Sequence, residues 1–124
     1  MKEKVRVASG QGFWGDMLTA PVDQVRGGPI DYLMLDYLAE VTMSIVQKQR
    51  QRDPNAGYAR DFVSLMREIL PDCVEKDIKV LSNAGGVNVE GCAEAIRETA
   101  RDLGLGGKLR IGVITGDDIL PRLD

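Results

Sequence analysis

Apolar residues along this chain alternate between two spacings. Residues 5–8 form a short run with β-branched members, closed by Ser9-Gly10-Gln11-Gly12, which predicts a buried strand followed by a glycine loop. Residues 20–26 predict a short helix opened by Pro21, and Gly27-Gly28-Pro29 predicts a turn. Residues 30–35 are apolar on both faces, as in a parallel sheet covered on both sides. Past Asp36 the spacing changes, and Leu38, Val41, Thr42, Ile45 and Val46 recur along one helical face. Asp53-Pro54-Asn55-Ala56-Gly57 breaks that helix. The next carries Tyr58, Phe62, Leu65, Met66, Ile69 and Leu70 on one side; Pro71 is expected to end or restart it, with Cys73 and Val74 extending the apolar side to about Lys76.

Residues 79–81 predict a third strand, and Asn88 predicts the cap of a helix with the stripe Val89, Cys92, Ala93, Ile96, Ala100 and Leu103. Gly104 or Gly106 stops that helix, and residues 109–114 predict a fourth strand. The expected class is α/β: a mainly parallel four-stranded sheet flanked by helices, either Rossmann-like or the first part of a barrel. No helix follows to cover the last strand, and the tail at 119–124 is apolar. Residues 1–124 are therefore expected to be a single α/β domain that is a fragment of a larger one.

Composition narrows the function classes. With 124 residues, 44% of them hydrophobic, there is material for one core. A net charge of −3 supplies no basic stripe for nucleic acid, and the basic run at 48–52 fits the C-terminal end of a helix dipole. No stretch approaches the ~20 apolar residues that span a bilayer, so no membrane partner is expected. Met1-Lys2-Glu3-Lys4 runs straight into a strand without a signal region, and the expected location is cytoplasmic. Cys73 and Cys92 are expected to be small core residues. The chain has no histidine, which excludes Ser–His and Cys–His catalysis and histidine metal sites within it. Acid–base chemistry then falls to carboxylates, Lys, Tyr or Cys, or to a partner chain.

Ligands of open parallel sheets sit beyond the carboxyl ends of the strands. Glycines, amides and carboxylates gather there: Gly10, Gly12, Phe13, Trp14 and Asp16 after the first strand; Asp36 and Glu40 after the second; Asn83, Gly85, Gly86 and Asn88 after the third; Thr115, Gly116, Asp117 and Asp118 after the fourth. The spacing Gly10-x-Gly12-x-x-Gly15 matches a dinucleotide fingerprint, but Phe13 and Trp14 suit it poorly. Small residues at 83–88 could turn backbone N–H groups at a helix start towards a phosphate or carboxylate, or could simply make a tight turn. Asp36, Glu40, Asp117 and Asp118 could share a rim, holding Mg²⁺ or dividing acid and base roles; the alternative is ordinary helix-start and turn charge. Whether a metal or other cofactor binds is left open.

Taken in order, Gly10–Asp16, Asp31–Glu40, Asp53–Tyr58, Asn83–Asn88 and Thr115–Asp118 resemble the start of the acyclic terpene utilisation (AtuA-type) family. The resemblance covers nearly the whole chain and implies the N-terminal part of a longer metabolic protein. It implies a link to catabolism of branched isoprenoid alcohols such as citronellol and geraniol through acyl-CoA intermediates. It implies no reaction and assigns no catalytic residue. The leading expectation is binding of a small anionic or acyl-CoA-like ligand at the strand ends, with Asp36, Glu40, Asp117 or Asp118 as the chemical groups. The alternative is a non-catalytic partner subunit of an acyl-CoA carboxylase. A nucleotide-binding regulator is a weaker third reading, because no Walker pattern exists. An exposed apolar last strand would also favour a homo-oligomer.

Overall fold

The computed structural model describes residues 3–123, so the expectations for Met1, Lys2 and Asp124 lie outside the described residues. In chain order the elements are β1 (Val7–Gln11), α1 (Thr19–Gly27), β2 (Tyr32–Leu35), α2 (Glu40–Arg52), α3 (Arg60–Glu75), β3 (Lys79–Ser82) and α4 (Val89–Asp102), with a 3-10 turn at Leu120–Arg122. α3 runs unbroken through Pro71, which neither ends nor restarts it. The strands form one parallel sheet in the order β1-β2-β3, pairing Ala8 with Leu33 and Leu33 with Val80.

Each strand joins its immediate neighbour through a helical crossover, so right-handed connections carry α1 and α3 to the same face of the sheet. There α1 packs on β1, β2 and α3, and α4 packs on α3. Leu33, Leu35, Val25, Ile69 and Leu70 are fully buried between these layers. The opposite face is open, with Val7, Met34 and Leu81 exposed at 65%, 38% and 48%. The apolar strand residues predict cover on both faces; among the described residues only one face carries helices, because the strand order never reverses.

Three further expectations need correction. β1 runs past its expected end at Ala8, so Ser9, Gly10 and Gln11 belong to the strand and not to the glycine loop. The register slips between Ser9 and Gln11, leaving Gly10 as an unpaired bulge under α1. The stripe on α2 is only partly buried: Thr42 and Val46 are covered, but Val41 is 70% exposed. The reason is position, since α2 lies on the rim loops, where Val46 sits at Gly86 and Arg50 donates to the Val87 carbonyl.

The third correction concerns the sheet, which has three strands, not four. After α4, Gly104 takes φ +71° and Leu105 N–H closes back on Ala100 O at 2.7 Å. Leu109 and Ile111 then pack against the core edge, but residues 109–119 carry no regular structure. Side-chain burial holds this segment beside β3 across an apolar cleft without forming a ladder.

Gly10 tests the packing of α1 on the sheet. A Cβ there would lie 2.9 Å from Leu33 Cδ1 and from Pro21 Cβ and 3.0 Å from Leu35 Cδ2. Gly10→Ala is expected to lower unfolding free energy by about 1–3 kcal/mol, read as a fall in the urea midpoint at unchanged slope; an unchanged midpoint would show that α1 yields freely.

Candidate functional site

The carboxyl ends of β2 and β3 are tied together by one amide. Asn83 Oδ1 accepts from Tyr37 N–H at 2.7 Å, and Asn83 Nδ2 donates to Asp36 Oδ1 at 2.7 Å. Asp36 Oδ1 also accepts from Leu38 N–H at 3.2 Å. One residue earlier, the Ser82 hydroxyl donates to Leu35 O at 2.9 Å and accepts from Ala84 N–H at 3.1 Å. The structure thus brings Asp36 and Asn83 into contact, and their polar atoms lock the two strand ends.

The loop from Asn83 to Asn88 is closed in the same way. The N–H groups of Gly86, Val87 and Asn88 donate to Asn83 O, Gly57 O and Gly85 O at 3.2, 2.9 and 2.9 Å. These three amides are bonded within the loop and to the 53–58 turn. Gly86 has φ +54°, and a Cβ there would stand 2.7 Å from Gly57 O; at Gly85 it would stand 2.7 Å from Val89 Cγ1. Both glycines permit close approach of the 53–58 turn and of α4. Asn88 caps α4 as expected, accepting from Gly91 N–H at 3.0 Å, and it donates to Ala56 O at 2.9 Å.

Asp16 clasps the loop after β1. Its carboxylate accepts from Gly12 N–H at 3.0 Å and Met17 N–H at 2.7 Å, and these two bonds hold its pKa below the ordinary value. Phe13 is exposed. Trp14 is half-buried and its indole N–H donates to Asp61 Oδ1 at 2.9 Å. Beneath them Gln11 Nε2 donates to Phe13 O at 3.2 Å, while Gln11 Oε1 and the Tyr37 hydroxyl are buried without partners among the described residues. Burial first and the Asp61 carboxylate second push the Tyr37 phenol up, so it stays protonated. Glu40 and Thr115 to Asp118 lie on the surface, Gly116 at φ +124°, with Asp118 Oδ1 accepting from Leu120 N–H at 3.0 Å.

Two clefts flank this rim. The larger, about 780 Å³, lies between α3, α4, β3 and the 108–114 segment; Asn83, Gly85, Gly86 and Asp117 line it. The smaller, about 630 Å³, is lined by Trp14, Arg52, Asp53, Tyr58, Arg60 and Asp61, among others. Glu40, Phe13, Thr115, Gly116 and Asp118 line neither, and Gly10 is buried. Asp53 and Tyr58 belong to the sequence motif at 53–58, whereas Arg60 and Asp61 lie outside the sequence motifs. The turn at 53–57 was visible, and the helix it opens begins at the rim where the strands end. Among the described residues no group of three or more Cys, Asp or Glu could hold a metal ion. No described helix is long and apolar enough to cross a membrane.

The family model for the acyclic terpene utilisation family protein AtuA matches residues 5–124. The chain belongs to this family. No curated protein and no solved structure matches it. In this AtuA-family chain the motif residues at 83–88 have a visible local task, which is to fix the rim that both clefts adjoin.

Two outcomes follow. Asn83→Ala strands the Tyr37 N–H and one side of Asp36, and is expected to cost about 1–3 kcal/mol in urea unfolding; a residue serving only a ligand would leave the midpoint in place. Burial pushes the Cys73 and Cys92 thiols from 9.0 up to about 11, with Asp72 adding to the rise at Cys73. Unfolded thiols ionise first, so the folded state binds more protons and stability is expected to fall as pH climbs from 9.0 towards 11. Urea midpoints across that range check the sign, and replacing both cysteines by alanine should flatten the slope.

Proposed function

We propose that this chain serves acyclic terpene catabolism by binding a branched isoprenoid acid or its acyl-CoA-like thioester, as the N-terminal part of a larger cytoplasmic protein. The observation that carries the reading is the larger cleft. Its volume of about 780 Å³ falls in the range of small-molecule sites, roughly 300–1,000 Å³. Phe62, Met66, Cys92 and Ile96 line one side, and Leu109 and Ile111 the other. A branched hydrocarbon needs shape and apolar contact, which these residues supply, and no hydrogen-bond partner. Lys108 and Arg110 also line the cleft and give an anionic head group positive charge to approach. Of the four candidate carboxylates only Asp117 lines this cleft, which makes it the one suited to proton transfer there. Family membership supports the substrate class.

A second reading rests on a separate observation. The bare sheet face with Val7, Met34 and Leu81 suits a non-catalytic subunit that docks on a partner such as an acyl-CoA carboxylase, or on a second copy. Stable co-purification with a carboxylase and no small-ligand affinity would support it.

Calorimetric titration with citronellic acid and with its CoA thioester separates the two. Saturable binding is expected, weakened at least about tenfold by Ile111→Asp, which puts a charge into the cleft wall; because Ile111 also packs against the core edge, the urea midpoint of the variant is read alongside. Absence of binding, or equal binding by the variant, would refute the ligand assignment.

A further inference from the structure

The smaller cleft has a chemistry the isoprenoid reading does not use. Trp14, the only tryptophan of the chain, and Tyr58 line it together with the guanidinium groups of Arg52 and Arg60. Two carboxylates are also present, and both are occupied. Asp61 accepts from the Trp14 indole at 2.9 Å, which fixes that ring at the cleft wall. Asp53 Oδ1 accepts from Asn55 N–H at 2.9 Å inside its own turn, and its Oδ2 is 3.5 Å from Arg60 Nη2. That pair is long and exposed at both ends, so it holds Arg60 weakly. Arg52 takes part in none of the ion pairs among the described residues. The two guanidinium groups and two carboxylates of the lining sum to zero charge, and Arg52 is the guanidinium that stands outside the ion pairs, beside two aromatic rings.

Guanidinium forks match phosphate oxygens in pairs, and indole and phenol rings stack on planar bases. We infer that the cleft formed by Trp14, Tyr58, Arg52 and Arg60 binds a nucleoside phosphate, the planar base on the rings and the phosphate on the guanidinium groups. Free ADP and the adenine nucleotide end of coenzyme A carry the same chemistry. The two clefts share no lining residue, so this site stands independently of the isoprenoid assignment.

Trp14 reports on the site by itself, because no other indole contributes to emission. The intact chain is titrated with ADP, coenzyme A, adenosine and inorganic phosphate under indole-selective excitation. Saturable quenching is expected with ADP and coenzyme A and not with adenosine, and its midpoint should rise with salt. A quench confined to coenzyme A would assign the carrier, and a quench by both would assign the nucleotide. Arg52→Gln is expected to weaken binding about tenfold. Arg52 is exposed and outside those ion pairs, and unchanged emission of the free variant verifies its fold. No quench with either nucleotide, an equal quench with adenosine, or unchanged affinity in Arg52→Gln would overturn the assignment. Calorimetry with citronellic acid on the same protein reads the other cleft, so failure of one proposal leaves the other standing.

Discussion

The rim of this domain depends on the two hydrogen bonds made by the side chain of Asn83. It accepts from the backbone just after β2 and donates to the carboxylate that ends β2, while itself ending β3. Splaying these strand ends would leave a peptide donor unpaired, a cost of about 1–3 kcal/mol, and would leave the Asp36 carboxylate with only the local Leu38 N–H. With the chain held there, Tyr37 turns into the core and meets Phe62 edge to face, ring centres 5.8 Å apart. Gly86 then sits where Gly57 and Val46 can close on it, which seats α2 and the 53–58 turn on the rim loop.

That dependence explains why the polar cluster at the strand ends was legible but its role was not. Asn, Asp, Ser and Gly are the residues that recognise anions, and they are also the residues that close turns on their own backbone. A sequence places both kinds of site at the same positions. Asp36, Asn83, Gly86 and Asn88 do gather where expected, and their visible partners are each other, the 53–58 turn and the first turn of α4. Arg52, Arg60 and Asp61 carried no such signature, because charged residues at the end of one helix and the start of the next read equally well as solvated surface.

Secondary structure shows a matching division. α3 and α4 were plain in the stripes of Leu65, Met66, Ile69, Cys92 and Ile96, which are buried as their spacing requires. α2 has a similar stripe, but a helix lying on loops covers fewer positions than one lying on a sheet, and Ile45 stays exposed. Residues 109–114 have the composition of a strand. A ladder also needs a backbone register beside β3, and side-chain pattern does not encode that distance. Leu109 and Ile111 find apolar contact short of the ladder, and the cleft is the space that results.

The first turn of α3 divides the two clefts. Arg60 and Asp61 face the one with the guanidinium groups and the indole, while Phe62 and, a turn later, Met66 face the apolar one. Successive residues on a helix point about 100° apart, so one turn can serve both surfaces. The same turn is anchored from two sides, by Asp61 to Trp14 and by Phe62 to Tyr37. The two surfaces therefore share one wall, the first turn of α3, even though no residue lines both.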